Sequence, residues 1–181
     1  ETRVTEEDRR NSLADAFAAQ ARSDWGVYQH LAGLPKPSFP ACHALQHLQM
    51  ATEKIAKAYR IRDTNADPRE LVKHHTGFVE FVNAFFRTET IRDEYQGKET
   101  ALKQLQKNVG ALAREIEKLA PAIDPFTAPE NAEYPWERDG KIYRPCDYGY
   151  PSLDLLKTAG GRATMKMVER AFASYETLHI S

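Results

Sequence analysis

An all-α fold, an up-and-down antiparallel bundle of about five helices, is what this sequence predicts, and three observations predict it. Apolar residues recur at steps of three or four through five stretches of the chain. All 10 prolines fall between or at the edges of those stretches, where a missing N–H and a fixed φ do least harm. The one strand signal is too short to define a sheet.

Over residues 5–32, Leu13, Phe17, Ala21, Trp25, Tyr28 and Leu31 form the core-facing stripe of a long first helix. Gly33 ends it, and Pro35, Pro37 and Pro40 keep the next stretch extended. A second helix over 41–62 carries Leu45, Leu48, Ile55 and Tyr59 on one face. Its alanines at 41, 44, 51, 56 and 58 let a neighbour approach closely, which predicts a central position. After the polar stretch Asp63–Asp67, Pro68 opens a helical turn. Phe78, Val79, Phe81, Val82, Phe85 and Phe86 then make the most enclosed helix. Over 98–120, Leu102, Leu105, Val109, Leu112, Ile116 and Leu119 draw the seam of closely aligned helices, with a charged opposite face.

Pro121, Pro125 and Pro129 stop that helix and lead into an irregular segment, 121–151, rich in Pro and Tyr. Within it, Asp139-Gly140 is a turn signal for a short hairpin between Tyr134–Arg138 and Lys141–Tyr143. Ser152 is the expected cap of a last helix whose buried face is Met165, Val168, Phe172, Tyr175 and Leu178, with Gly160-Gly161 bending or interrupting it. Nothing repeats, and the whole of 1–181 reads as one domain.

Composition excludes several functions. With 25 basic against 26 acidic side chains and a pI near 6.7, the chain does not coat nucleic acid by bulk charge, although a local basic patch fits. No run of about 18 apolar residues occurs, which predicts no membrane span. The sequence opens on Glu1, so any upstream targeting signal lies outside it. Cys42 and Cys146 stand far apart in unlike contexts, with no CxxC or zinc-type grouping, and a reducing, cytoplasmic setting is the expectation.

Chemistry is sought first among the six histidines. His43 and His47 share a helix face, a geometry that can chelate a transition metal and that leaves a metal-binding bundle as one alternative. HALQH lacks the Glu of zinc-peptidase motifs, however, and no Glu-x-x-His of a di-metal bundle occurs, so neither metal nor cofactor is expected. Arg69 precedes His74 by four intervening residues and His75 by five. An arginine fork can bind a phosphate while an imidazole moves a proton, and that pair suffices to cleave RNA at a 2′-hydroxyl without a metal. On a regular helix this step turns the side chains apart, so a shared site requires a distorted turn or a second subunit. The plainer alternative is a solvated Arg69 and a histidine that caps or packs the next helix. Glu53 and Lys54, beside Gln49, read as a solvated face. Glu133-Tyr134-Pro135-Trp136, with Tyr143, Tyr148 and Tyr150, can stack on bases or cover the open end of the bundle. Gly160-Gly161-Arg162 lacks the Lys-Ser or Lys-Thr of a phosphate loop.

Several of these segments, in order, resemble the HEPN family, the higher eukaryotes and prokaryotes nucleotide-binding domains. They are Ala21-Arg22-Ser23-Asp24-Trp25 through Tyr28 and Leu31-Ala32; Gln49-Met50-Ala51-Thr52-Glu53-Lys54 leading to Ala58; Lys73-His74-His75 ahead of an apolar run; and Asn131-Ala132-Glu133-Tyr134-Pro135. The resemblance implies a helical bundle that forms a two-fold homodimer. It further implies either a module that binds nucleotide, RNA or a nucleotidyltransferase partner, as in toxin–antitoxin and defence systems, or a metal-independent ribonuclease. In the ribonuclease, Arg69 is the phosphate clamp and His74 or His75 the general base. Glu70 departs from the Asn, Asp or His that usually follows the family's arginine.

Overall fold

The computed structural model describes residues 5–34, 39–64, 66–121 and 130–180, and it is an all-α helical bundle. Among the described residues there are seven α-helices and one two-stranded hairpin. Pro35, Pro37, Pro125 and Pro129 lie outside the described residues.

The first helix, α1 (Glu6–Ala32), opens on a capping box in which Thr5 and Asp8 satisfy each other's backbone N–H, with Glu6 and Glu7 set against the positive end of the helix. It ends where Gly33 N–H returns to the Gln29 carbonyl. Its neighbour α2 (Ala41–Asp63) carries Leu48, Ala51, Ile55 and Tyr59 wholly buried. The face α1 turns to α2 is not the large-residue stripe alone. Ala14, Ala18 and Ala21 are fully buried while Leu13 is 38% exposed, which corrects the expectation for Leu13. Both registers satisfy a step of three or four, and the small one wins because alanines let the two backbones close up, leaving Leu13 at the edge.

The remaining helices are α3 (Pro68–Leu71), α4 (Phe78–Phe85), α5 (Glu89–Glu94), α6 (Glu99–Glu117) and α7 (Ala159–Ala173). The turn expected at Pro68 is the short α3, separate from α4, and α5 is the addition to the helices expected. Asp67 caps α3 and Pro68 opens it, as its fixed φ favours. Phe78, Phe81, Val82 and Phe85 of α4 are buried against Val109, Leu112 and Ile116 of α6 and Val168 of α7 in a common core. Tyr59 runs through that core. Its hydroxyl donates to the Ala171 carbonyl at 2.8 Å, its ring packs on Phe81 and Tyr175, and burial pushes its ionisation up to about 12.

Two expectations for the C-terminal half are corrected. Ser152 does not begin the last helix: Pro151–Lys157 is a 3-10 turn, and Thr158 caps α7 by accepting the Gly161 N–H at 3.2 Å. Gly160-Gly161 consequently sits in the first turn of α7 rather than breaking its middle. A Cβ on Gly161 would lie 2.2 Å from the Leu156 carbonyl oxygen, so only glycine lets the helix start fold back on the preceding turn. The segment read as irregular contains a real hairpin, β1 (Trp136–Arg138) and β2 (Lys141–Tyr143), turning through Asp139 and Gly140 at φ 52° and 71°. Asn131 organises the approach, its Oδ1 accepting the N–H groups of Glu133 and Tyr134 and its carbonyl the Tyr150 hydroxyl. No described helix is long and apolar enough to cross a membrane.

Candidate functional site

The site is built on α2 and the connector that follows α3. Along α2, Gln49, Glu53 and Lys57 stand four residues apart and therefore stack on one face. Gln49 Nε2 donates to Glu53 Oε2 at 2.6 Å, and Lys57 Nζ meets Glu53 Oε1 at 2.5 Å. This is not the solvated face expected of Glu53: Glu53 is 8% exposed and Lys57 4%. A carboxylate and an ammonium can be carried inside because each neutralises the other and the amide adds a hydrogen bond. Lys54 is likewise engaged, its Nζ lying 2.5 Å from Oδ2 of the buried Asp24 on α1.

The third partner of Glu53 comes from the connector. His75 Nδ1 lies 3.2 Å from Glu53 Oε2, while the imidazole itself is 52% exposed. A carboxylate accepts hydrogen bonds, so in the neutral ring this contact puts the proton on Nδ1 and the lone pair on Nε2. His75 is thereby an oriented, solvent-accessible imidazole.

The connector is held at both ends. On its N-terminal side, Val72 N–H returns to the Pro68 carbonyl and Lys73 N–H to that of Glu70. On its C-terminal side, Glu117 of α6 accepts the N–H groups of Gly77 and Val79, each at 2.9 Å, and so supplies the side-chain cap that the N-cap Gly77 cannot. Gly77 takes φ +125°, a region that favours glycine, and a Cβ there would meet the Arg60 guanidinium at 3.0 Å. Arg60 in turn pairs with Glu80 at 2.9 Å.

The three candidate residues fall on this one exposed stretch. Arg69 lies in α3, with its backbone N–H on Asp67 and its guanidinium in no ion pair among the described residues. His74 is exposed beside His75. Neither histidine is helical, because α3 stops at Leu71 and α4 starts at Phe78; the helical step that would turn Arg69 and the histidines apart does not apply. No hydrogen bond or ion pair joins Arg69 to either histidine among the described residues.

The other candidates are placed elsewhere. His43 is exposed with its ring edge-on to Phe39, whereas His47 Nδ1 is buried with no hydrogen bond among the described residues, 3.5 Å from Asp24 Oδ1. Among the described residues no group of three or more His, Cys, Asp or Glu side chains can hold a metal ion. In the aromatic segment, Trp136 stacks on Tyr143 at 5.8 Å, Tyr148 stands edge-on to both, and Tyr150 to Tyr148, so these rings mainly cover one another; Tyr134 stays exposed. Lys57 and Asp24 were missed by sequence reasoning. The Gln49, Glu53, Lys57 spacing was the signal for the first; the second lay within a motif but showed no partner until α1 and α2 were set side by side.

No protein-family model, curated protein or solved structure matches this chain.

Proposed function

We propose that this chain is a HEPN-like helical module that binds RNA or nucleotide phosphate through the edge formed by Arg69, His74 and His75. A homodimer, and a nucleotidyltransferase partner in a toxin–antitoxin or defence system, belong to the same reading. The observation that carries it is the pairing of His75 with buried Glu53 on a stretch that also exposes Arg69, which enters no ion pair among the described residues. A guanidinium offers a planar fork to phosphate oxygens, and an imidazole beside it adds a hydrogen bond or a charge. The near-neutral net charge of -1 suits a local contact of this kind. The test is fluorescence anisotropy with a single-stranded RNA oligonucleotide at low and moderate salt. Saturable, salt-sensitive binding that weakens in Arg69→Ala supports the reading; absence of binding, or equal binding by the variant, ends it.

The Glu53–His75 contact specifically favours a second, catalytic reading, a metal-independent endoribonuclease. His75 Nε2 takes the proton of an RNA 2′-hydroxyl, whose oxygen attacks the adjacent phosphorus. Arg69 offsets the charge gathering on the phosphate oxygens, and the 5′-oxygen departs with a proton from His74 or solvent, leaving a cyclic phosphate. Glu53 acts through His75 and is a positioning residue. Cleavage that persists in excess EDTA and disappears in His75→Ala is the expected outcome; cleavage abolished by EDTA, or unaltered in the variant, overturns it.

A further inference from the structure

A cavity of about 200 Å³ lies between the end of α4, α5, α6 and α7. Its floor is core: Phe85, Phe86, Ile91 and Met167 are each less than a tenth exposed. Tyr95, Leu105 and Ala163, each half-buried, and Lys166 and Arg170 of α7 complete the lining. These two cations are four residues apart and so share one face of α7. Arg170 is already engaged: its guanidinium forks onto both carboxylate oxygens of Glu94, with Nη1 2.6 Å from Oε2, and ties α7 to α5. Lys166 is exposed and enters no ion pair among the described residues.

We propose that this cavity binds a small amphipathic anion, an aryl or short-chain alkyl carboxylate whose apolar end fills the space and whose charge meets Lys166. Three features select that class. Apolar cavities of about 150 Å³ lined by Leu, Ile and Phe stay dry and take up benzene, so a phenyl group or a short alkyl chain fits here. The lining's uncompensated charge is positive, so an anion is held where an amine is repelled. The side chains of the floor offer no hydrogen bond, which leaves a polar head only the rim to occupy. The site involves none of the residues assigned to RNA, and the two readings stand or fall separately.

Isothermal titration calorimetry with octanoate, phenylacetate and uncharged octanol tests the proposal. At least one of the two acids is expected to bind saturably in the sub-millimolar range and more tightly than octanol, and the preferred acid tells an alkyl from an aryl occupant. Lys166→Glu is expected to weaken that acid by about threefold to tenfold and to leave octanol unchanged. Ala163→Phe, which puts a large ring on the lining of the cavity, is expected to abolish binding of every probe. Because that substitution can disturb packing, the Met167 methyl is followed by NMR in the unaltered protein, where the acid is expected to shift it and leave Met50 unmoved. The proposal is overturned by no saturable binding of either acid, by octanol binding as tightly as both, by acid binding unchanged in Lys166→Glu or in a folded Ala163→Phe, or by a Met167 methyl that does not respond.

Discussion

Two buried carboxylates of this protein each touch the Nδ1 of an exposed histidine, and their surroundings differ instructively. Glu53 meets His75 at 3.2 Å and Asp63, the last residue of α2, meets His179 at 2.8 Å. Asp63 is bound up in structure. Arg62 forks onto it at 2.5 and 2.8 Å, the Ile180 N–H donates to it at 2.9 Å, and the same guanidinium holds the Tyr175 and Leu178 carbonyls while its plane covers the Tyr59 and Tyr175 rings. That arrangement clamps the tail of the chain onto α2, and His179 is one more tie. Around Glu53 the structural ties, Lys57 and Gln49, both come from α2 itself, and His75 arrives from the exposed connector that follows Arg69, whose guanidinium enters no ion pair among the described residues. A histidine–carboxylate contact thus marks a candidate site only where the carboxylate orients the ring without being needed to hold the chain.

The largest expected effect would separate the two histidines outright. If the catalytic reading holds, His75→Ala lowers RNA cleavage by about 100- to 10,000-fold, whereas His179→Ala leaves the rate near that of the unaltered protein. Equal losses in the two variants would dissolve the distinction. Gel-based cleavage under single-turnover conditions measures both.

Next in size is the clamp. Asp63→Ala strands a mostly buried guanidinium and is expected to cost about 3–5 kcal/mol in urea unfolding. Glu53→Gln keeps the shape of the side chain but leaves the Lys57 ammonium unneutralised. We expect about 1–3 kcal/mol there, together with slower cleavage at unchanged RNA affinity. A stability loss from Glu53→Gln with no change in rate would reduce Glu53 to the same structural part as Asp63.

A smaller effect is read from pH. Burial alone would raise the Asp63 carboxyl, but hydrogen bonds from Arg62, the Ile180 N–H and His179 outweigh it and hold the group below the usual carboxylate range. The folded state therefore binds this proton less readily than the unfolded chain. Its stabilisation is complete above the unfolded value, near about 4, and is lost as pH falls through the lower folded value. Urea midpoints measured from neutral pH down to pH about 2 should show that loss and should lack this component of the slope in Asp63→Asn. The smallest change comes from His179→Ala, expected to cost at most about 1 kcal/mol because the ring is largely exposed. A greater loss would make His179 the principal tie of the tail.

Much of the fold was legible in order along the chain. The bounds of α1, α2 and α6 follow the apolar period and its terminators, and Asp139-Gly140 marks the hairpin turn. The candidate site was legible in part. Arg69, His74 and His75 were visible as residue types at a suggestive spacing, but whether the chain stays helical between them or breaks into a distorted turn was not. Helix resumes only at Phe78, where Gly77 and a carboxylate from Glu117, 40 residues further on, hold the start of α4. The burial of Glu53 and Lys57 could not be seen, since an i, i+4 pair looks alike on a wet face and in a packed interface. The glycine pair at 160 and 161 was noticed but misplaced, because the contact that demands Gly161 is with the carbonyl of Leu156, in a turn that local propensity does not specify.

The sequence by itself determined the helical class, the position of the long helices and most of the core. Those depend on periodicity, caps and breakers, which act over a few residues. Only the tertiary structure decided which charges go inside and which histidine is oriented. Burial of a charge is tolerated only where a partner arrives to neutralise or hydrogen-bond it, and the partners of Asp24, Glu53 and Asp63 include Lys54, His75 and His179, which reach them from 22 or more residues away.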